Sequence, residues 1–214
     1  MLNVCYKCGM YRADKEIVKD EGSANQAWAV CPECGHHHQF NYFPMMFVCG
    51  PSSAGKSTVC QSLTVNYDKA VLLDGDILWR NEFASEENGG AKGFFDTWLR
   101  VAKNVGMSGR PVVVFNAGAI PDNVVENVEA RYFSSIHFLA MVCDDDELER
   151  RLKARPEWRG TYDSEFIKEQ QRFSNWLKGN AQTNGRNINL IDTSAITEEE
   201  SIEEVESWID QIIG

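Results

Sequence analysis

Residues 50–58, GPSSAGKST, have the types and spacing that bind phosphate groups, and we call this segment the P-loop. They match the pattern G-x-x-x-x-G-K-[ST], directly after the apolar run MMFVC and before a helical pattern. The glycines let successive backbone N–H groups turn toward phosphate oxygens, and the N-terminus of a following helix attracts the same negative charge. The segment therefore predicts a site for a nucleoside triphosphate, expected to be ATP.

Individual side chains of this loop have expected roles. The ammonium of Lys56 can reach the β- and γ-phosphates, and the hydroxyl of Ser57 can ligate Mg²⁺. The backbone is expected to surround the phosphates along the whole segment. The predicted ATP contacts are Gly50, Ser52, Ser53, Ala54, Gly55, Lys56, Ser57 and Thr58.

Two carboxylates follow the next apolar run. The segment LLDGD at 72–76 puts Asp74 and Asp76 at the carboxyl end of a predicted strand, where ligands of open α/β sheets bind. One carboxylate can hold Mg²⁺ while the other meets a phosphoryl acceptor, although an ordinary Asp-Gly turn is the alternative. The third apolar run, VVVFN, ends without an acidic residue. The carboxylate that often ends this strand in P-loop proteins is therefore expected from Asp74 or Asp76, and Asp74 is the first candidate for the magnesium ligand.

Basic side chains concentrate in RRLKARPEWR at 150–159, which is unusual in an acidic chain. A helix running to residue 155 would place Arg151 and Arg155 on one face, and the proline that follows would end it. Arginines on a mobile segment can close over phosphates and neutralise charge during transfer. Arg155 and Arg159 are therefore predicted to act on the phosphoryl group. Arg150 and Lys153 are instead expected to be solvent-exposed and paired with nearby glutamates.

Four of the seven cysteines form two Cys-x-x-Cys pairs. The pairs Cys5–Cys8 and Cys31–Cys34 can together supply four thiolates to a tetrahedral zinc ion. A redox-active pair is the alternative, but two pairs in one short segment favour zinc. The histidines at 36–38 could replace one thiolate, although four sulfurs already complete the site. The segment predicts a zinc ribbon, expected to be a structural cap because it has no evident basic face for nucleic acid.

From Pro44 onward, apolar runs of strand length alternate with helical patterns. This alternation is typical of βαβ units and a parallel sheet, and continuous apolar runs suit strands that are buried on both faces. Strands are predicted at 45–49, 70–73, 111–115, 136–142 and 188–191. Helices are predicted from the P-loop to residue 66, over 94–105, after Pro121, after Asp144, over 163–178 and over 198–212. The chain is thus expected to hold a zinc ribbon over 1–43 and an α/β domain over 44–214.

The overall charge disfavours a general nucleic-acid binder. Acidic residues outnumber basic ones by 32 to 21, which gives a net charge of −11, whereas nucleic-acid backbones require Lys and Arg. The first residues lack a signal-peptide pattern, and no apolar run is long enough to span a membrane. We therefore expect a cytoplasmic location, no membrane partner, and small-molecule partners rather than nucleic acid.

From Pro44 to its end, the chain resembles the P-loop small-molecule and nucleotide kinases, which share the P-loop NTPase fold. The resemblance rests on GPSSAGKST, LLDGD, LERRLKARPEWR and NLIDTS. That superfamily includes shikimate, gluconate, adenylylsulfate and nucleoside monophosphate kinases. Within it, the chain is most similar to a bacterial group described as nucleoside or broad-specificity nucleotide kinases. The resemblance implies an α/β fold whose five-stranded parallel sheet has the order 2-3-1-4-5 and is flanked by helices.

The same resemblance implies an activity and residue roles. The activity would be transfer of the γ-phosphoryl group of ATP, with Mg²⁺, to a small acceptor. Arg155 and Arg159 would lie in a lid over the phosphates, and Asp76 would take the acceptor-facing position. The loop of Asp192, Thr193 and Ser194 would border the adenine.

The identity of the acceptor stays open. The arginine pattern that fixes an acceptor phosphate in typical monophosphate kinases is absent, and Arg80, just after the DGD turn, is the well-placed candidate. A nucleoside or nucleotide is the first expectation, and a sugar, antibiotic or other alcohol is the second. An ATPase that regulates a protein or acts with nucleic acid is the rival from another class, which the acidic charge and the lid arginines disfavour.

Overall fold

The computed structural model describes residues 2–85, 87, 89–156 and 163–214. The first part of the chain forms a three-stranded antiparallel sheet of β1 (Glu16–Lys19), β2 (Gln26–Val30) and β3 (His37–Asn41). Alternation along β2 and β3 buries Ala27, Ala29 and Phe40 on one face. The four paired cysteines lie in the turns that precede β1 and β3.

The remainder of the chain is built on a five-stranded parallel sheet. Its strands are β4 (Met45–Cys49), β5 (Val71–Asp74), β6 (Val112–Phe115), β7 (Ile136–Val142) and β8 (Ile188–Asp192). They lie in the order β5-β6-β4-β7-β8, which is 2-3-1-4-5 when only this sheet is numbered. Every strand agrees with a predicted apolar run to within one residue at each end. The α/β fold and its strand order are therefore confirmed.

Helices cover both faces of this sheet. They are α1 (Lys56–Asn66), α2 (Gly90–Gly106), α3 (Pro121–Val124), α4 (Asp145–Lys153), α5 (Ser164–Asn180) and α6 (Glu198–Ile213). One core joins the sheet to the aromatic face of α2 and to α5, and the other joins it to α1 and α6. Among the described helices, none combines the length and the apolar composition needed to cross a bilayer.

Two helix boundaries differ from prediction. Helix α2 begins at Gly90 rather than residue 94, because Gly89 adopts φ +89° and turns the chain into the helix before the apolar periodicity starts. Helix α4 ends at Lys153, so Arg155 lies beyond its end instead of in its last turn. The N-termini of α5 and α6 are capped by Asp163 and Thr197, which accept backbone N–H groups of their first turns.

The two sheets meet at a buried polar junction. Asn3 donates to Glu129 Oε1 at 2.8 Å, and the Lys103 ammonium contacts both Glu129 Oε2 and Asn3 Oδ1. The Tyr132 hydroxyl donates to the carbonyl of Ala13 at 2.8 Å, and its ring packs into the small core of the three-stranded sheet. The three-stranded sheet is therefore attached to the C-terminal part of α2 and to the segment that precedes β7.

Candidate active site

The P-loop leaves β4 through a sharp, open curl. Gly50 and Gly55 have φ of +134° and +102°, and Ser53 between them has φ +69°. A Cβ atom at Gly50 would lie 2.1 Å from the carbonyl oxygen of Met141, so only glycine fits there. The curl delivers the chain to the N-terminus of α1, where Ser57 and Thr58 are exposed.

Lys56 lies folded against the P-loop. Its Nζ donates to the carbonyl oxygens of Gly50 and Pro51, both at 2.8 Å. Burial of the ammonium lowers the pKa of Lys56 to about 8, although the nearby Asp76 favours the charged form. A phosphate group bound here would place negative charge next to the Lys56 ammonium. That charge would favour the protonated form of Lys56.

The two aspartates are held by a short 3₁₀ turn, Gly75–Leu78, at the end of β5. Asp74 caps this turn, because its Oδ1 accepts the N–H of Asp76 at 3.0 Å. Gly75 is required for packing, since a Cβ atom there would lie 2.5 Å from the Cβ of Asn116. The indole of Trp98 on α2 donates to the Gly75 carbonyl at 3.1 Å. Both carboxylates are exposed to the cleft described below.

Asn116, which our sequence reasoning gave no role, fixes the orientation of Asp76. It directly follows β6, and its Nδ2 donates to Asp76 Oδ1 at 3.0 Å. Its Oδ1 in turn accepts the N–H of Gly118 at 3.1 Å, and the residue is 8% exposed. No acidic residue ends β6, and the polar residue Asn116 occupies that position. A polar residue at the end of an apolar strand is the sequence feature that could have identified it as part of the site.

Thr193 and Arg151 form the wall opposite the aspartates. The Thr193 hydroxyl lies 3.1 Å from the carbonyl of Val142 and 3.3 Å from that of Ala54, which joins β8 to the P-loop. The Arg151 guanidinium donates to the Thr193 hydroxyl at 3.0 Å and to its carbonyl at 2.6 Å. Arg151 is therefore a fixed part of this wall.

These groups surround one cleft of about 510 Å³. The predicted site residues that line it are Ser52, Ser53, Ala54, Gly55, Lys56, Ser57, Thr58, Asp74, Asp76, Arg155 and Thr193. Arg151, Asn116 and the start of α6, at Ile196, Thr197 and Ser201, also line it without having been assigned to the site. The cleft thus joins the P-loop, the carboxylates and two arginines in one space.

Other predicted residues lie elsewhere. Gly50 underlies the loop, and the side chain of Arg80 is exposed outside the lining of this cleft. Asp192 also lies outside it, because its carboxylate accepts the N–H of Ser194 at 3.0 Å and lies 3.4 Å from Lys178. Arg159 falls outside the described residues. As predicted, Arg150 and Lys153 are exposed and pair with Glu147 and Glu149.

The four paired cysteines form a second candidate site. Their sulfur atoms all lie within 4.8 Å of one another, and no disulfide joins them. The Sγ distances are 3.6 Å for Cys5–Cys34 and 3.8 Å for Cys8–Cys31. A tetrahedron with metal–sulfur bonds of about 2.3 Å has sulfurs about 3.8 Å apart, so the cluster has the dimensions of a Zn²⁺ site.

The pKa values of the thiols in this cluster differ widely. Burial raises the pKa of the Cys5 thiol, but the backbone N–H groups of Cys8 and Lys7 outweigh burial and lower it to about 5. At Cys34 the backbone N–H of His36 lowers the pKa, but burial and the neighbouring thiols outweigh it and raise the pKa to about 12. The thiolate is the form that ligates metals. The donor set and its geometry therefore fit a bound zinc ion.

The sequence model of a family described as an AAA domain matches residues 45–177, which is more than half of the chain. The chain belongs to this family. The matched span of the AAA domain includes the P-loop, the DGD turn, Asn116 and most of α5. No curated protein matched the sequence.

Solved structures share the fold of this AAA domain. A sugar kinase from Janibacter sp. HTCC2649 is 15% identical, with a TM-score of 0.55 over 79% of this chain and 95% of that one. A gluconokinase from Sinorhizobium meliloti 1021 is 17% identical, with a TM-score of 0.53 over 81% of this chain and 95% of that one. At such identities the likeness establishes the fold alone, which this chain shares with both structures.

Proposed function

We propose that this chain transfers the γ-phosphoryl group of ATP to a small acceptor, and that the acceptor is a nucleoside or a nucleotide. The observation that carries the proposal is the single cleft in which the P-loop faces Asp74, Asp76 and Arg155. Phosphoryl transfer needs little covalent chemistry from the protein, and depends on positioning and on charge neutralisation. The structural neighbours named as a sugar kinase and a gluconokinase support small-molecule phosphotransfer.

Each side of the cleft has a proposed role. Lys56 and Arg155, with Arg159, neutralise the phosphates as charge develops during transfer. Ser57 and Asp74 offer the oxygen ligands that Mg²⁺ prefers, and both line the cleft. Bound magnesium would add positive charge at the phosphates. Asp76 orients the acceptor hydroxyl or accepts its proton, and Asn116 positions the Asp76 carboxylate.

A planar apolar acceptor group is favoured by the residues that follow Asp76. Ile77 and Trp79 lie just after Asp76, outside the lining of the cleft, and are 67% and 49% exposed, which is high for large apolar side chains. The Trp79 ring is supported from within by Phe94, at 5.3 Å between ring centroids. A nucleobase can stack on such a surface. This observation supports a nucleoside or nucleotide over an acceptor that lacks an aromatic ring.

An acceptor screen tests the proposal. ATP consumption with magnesium should rise with nucleosides or nucleotides, and mass spectrometry should find the phosphorylated acceptor. Asp76→Asn should lower turnover by about 100-fold or more with little change in ATP affinity, whereas the exposed Asp68→Asn serves as a matched control. Stimulation by sugars or polyols alone would move the assignment to another metabolite. ATP hydrolysis that needs nucleic acid and no small acceptor would refute phosphotransfer.

We also propose that residues 1–43 form a zinc ribbon that caps a kinase domain over 44–214. The four-sulfur cluster supports zinc by its dimensions, and the contacts of Asn3 and Tyr132 support a fixed attachment. The zinc would act structurally, because the binding free energy of such a site is also folding free energy.

A further inference from the structure

Gln170 on α5 contacts the P-loop although it does not line the cleft. Its Oε1 accepts the backbone N–H of Ser52 at 2.8 Å, between residues 118 positions apart in sequence. Only an oxygen can face an N–H donor here, so the orientation of the amide is determined by its partner. The contact joins the phosphate-binding segment to a helix that the proposed chemistry does not otherwise use.

The surroundings of Gln170 make this contact rigid. Positions 167, 170, 174 and 177 repeat at intervals of three and four, so they lie on one face of α5. The other members of this face are all buried: Ile167, Ser174 and Leu177. Ser174 anchors the face to the end of β7, since its hydroxyl donates to the Cys143 carbonyl at 2.8 Å and accepts the Cys143 N–H at 3.2 Å. The amide of Gln170 is therefore presented to Ser52 from a fixed support.

The P-loop has a physical need for such a support. Ser53, directly after Ser52, has φ +69°, a conformation that residues with side chains seldom adopt. Lys56 also bonds to this part of the loop, but it donates to the carbonyl groups at 50 and 51 and would turn to phosphate in a loaded site. The bond from Gln170 occupies the N–H of Ser52, so this peptide is fixed by a side chain, and phosphates would be bound by the N–H groups that follow it and by Lys56.

We propose that Gln170 is a positioning residue for phosphate binding. It holds the Ser52 peptide so that the loop already has the shape that receives phosphates before a nucleotide arrives. Preorganisation of this kind raises affinity. A loop that also adopts other conformations binds more weakly, because only the fraction of molecules in the binding conformation can accept the ligand. The inference rests on the proposed function, since it assigns Gln170 to the phosphate end of the same cleft.

The test compares two neighbouring glutamines. Gln170→Met keeps the length and the apolar stem of the side chain but removes the acceptor for Ser52. Gln171→Met makes the same change one residue later, where the amide instead donates to the Asp145 carbonyl at 3.0 Å. Calorimetry with magnesium measures the Kd of each variant for ATP and for inorganic tripolyphosphate, and initial rates give KM and kcat.

Gln170→Met should raise the Kd for ATP and the Kd for tripolyphosphate by the same factor of about ten. A change of this size is what the loss of one hydrogen bond that orders the loop would cause. The kcat at saturating ATP should stay within about twofold of wild type, because bound phosphates restore the loop. Gln171→Met should change the Kd for neither ligand, and both variants should keep the wild-type Tm.

Equal affinities in the two variants would overturn the role of Gln170. A loss of affinity in Gln170→Met alone, together with a lower Tm and an equal fall in kcat, would also overturn it. That result would mean that Gln170 stabilises the fold by packing and does not position the loop. Wild-type protein that binds neither ATP nor tripolyphosphate would overturn the proposed function and this inference together. Normal wild-type binding with an unchanged Gln170→Met variant would overturn the inference alone.

Discussion

Replacement of Glu129 by alanine should destabilise the whole chain through the junction between the two sheets. The side chains of Glu129 and Lys103 are 0% and 2% exposed, and they form an ion pair. Burial lowers the pKa of Lys103, while Glu129 opposes this shift by favouring the ammonium. Glu129→Ala would leave a buried ammonium without its carboxylate, which costs about 3–5 kcal/mol.

Two remaining contacts place the expected loss at the lower end of that range. Asn3 Oδ1 still accepts from Lys103 in the variant, and the ammonium lies 4.0 Å from the centroid of the Tyr132 ring. A desolvated cation–π contact contributes about 2 kcal/mol, so part of the ammonium charge stays compensated. We expect a loss of about 3 kcal/mol in the free energy of unfolding, or about 6–12 °C in Tm for a chain of this size.

Urea unfolding followed by circular dichroism and tryptophan fluorescence measures this loss. Glu126→Ala is the matched control, because Glu126 pairs with Lys92 at 2.7 Å while both side chains are more than half exposed. Solvent screens such pairs, so the control should resemble wild type. Hydrogen exchange across β1, β2 and β3 should also rise in Glu129→Ala. A loss no larger than that of the control, with unchanged exchange, would refute the idea that this pair supports the junction.

Three further results are expected. ATP affinity should fall as pH rises above about 8, because Lys56 must regain its proton to bind phosphate; calorimetry in two buffers should detect the proton uptake, and a constant Kd from pH 7 to 9.5 would contradict it. Purified protein should contain about one zinc per chain, and Cys31→Ser should lose the metal and disorder residues 1–43, whereas metal-free protein with an intact ribbon would exclude this. Arg155→Ala should lower kcat by about tenfold to a thousandfold with little effect on ATP affinity, while the exposed Arg150→Ala should resemble wild type; equal behaviour of the two variants would remove Arg155 from the reaction.

Local patterns in the sequence were sufficient to predict the strands, the P-loop and the cluster of paired cysteines. The five strands could be predicted because a strand buried on both faces must be apolar at every position, as in Met45–Cys49. The P-loop could be predicted because its glycines occur at positions where the backbone requires φ above zero. The paired cysteines were equally clear, since two residues between thiols bring both to one ion.

The tertiary structure alone decided how polar residues pair across the chain. Asn116 with Asp76, Gln170 with Ser52, and Lys103 with Glu129 and Asn3 join residues 26 to 118 positions apart. An amide or a carboxylate has the same local sequence signal whether it faces water or a buried partner. Its partner is set by how the sheet brings strand ends together and how helices pack over them. For that reason the sequence by itself determined the fold and the P-loop of this protein, whereas the second layer of contacts around the cleft came only from its packing.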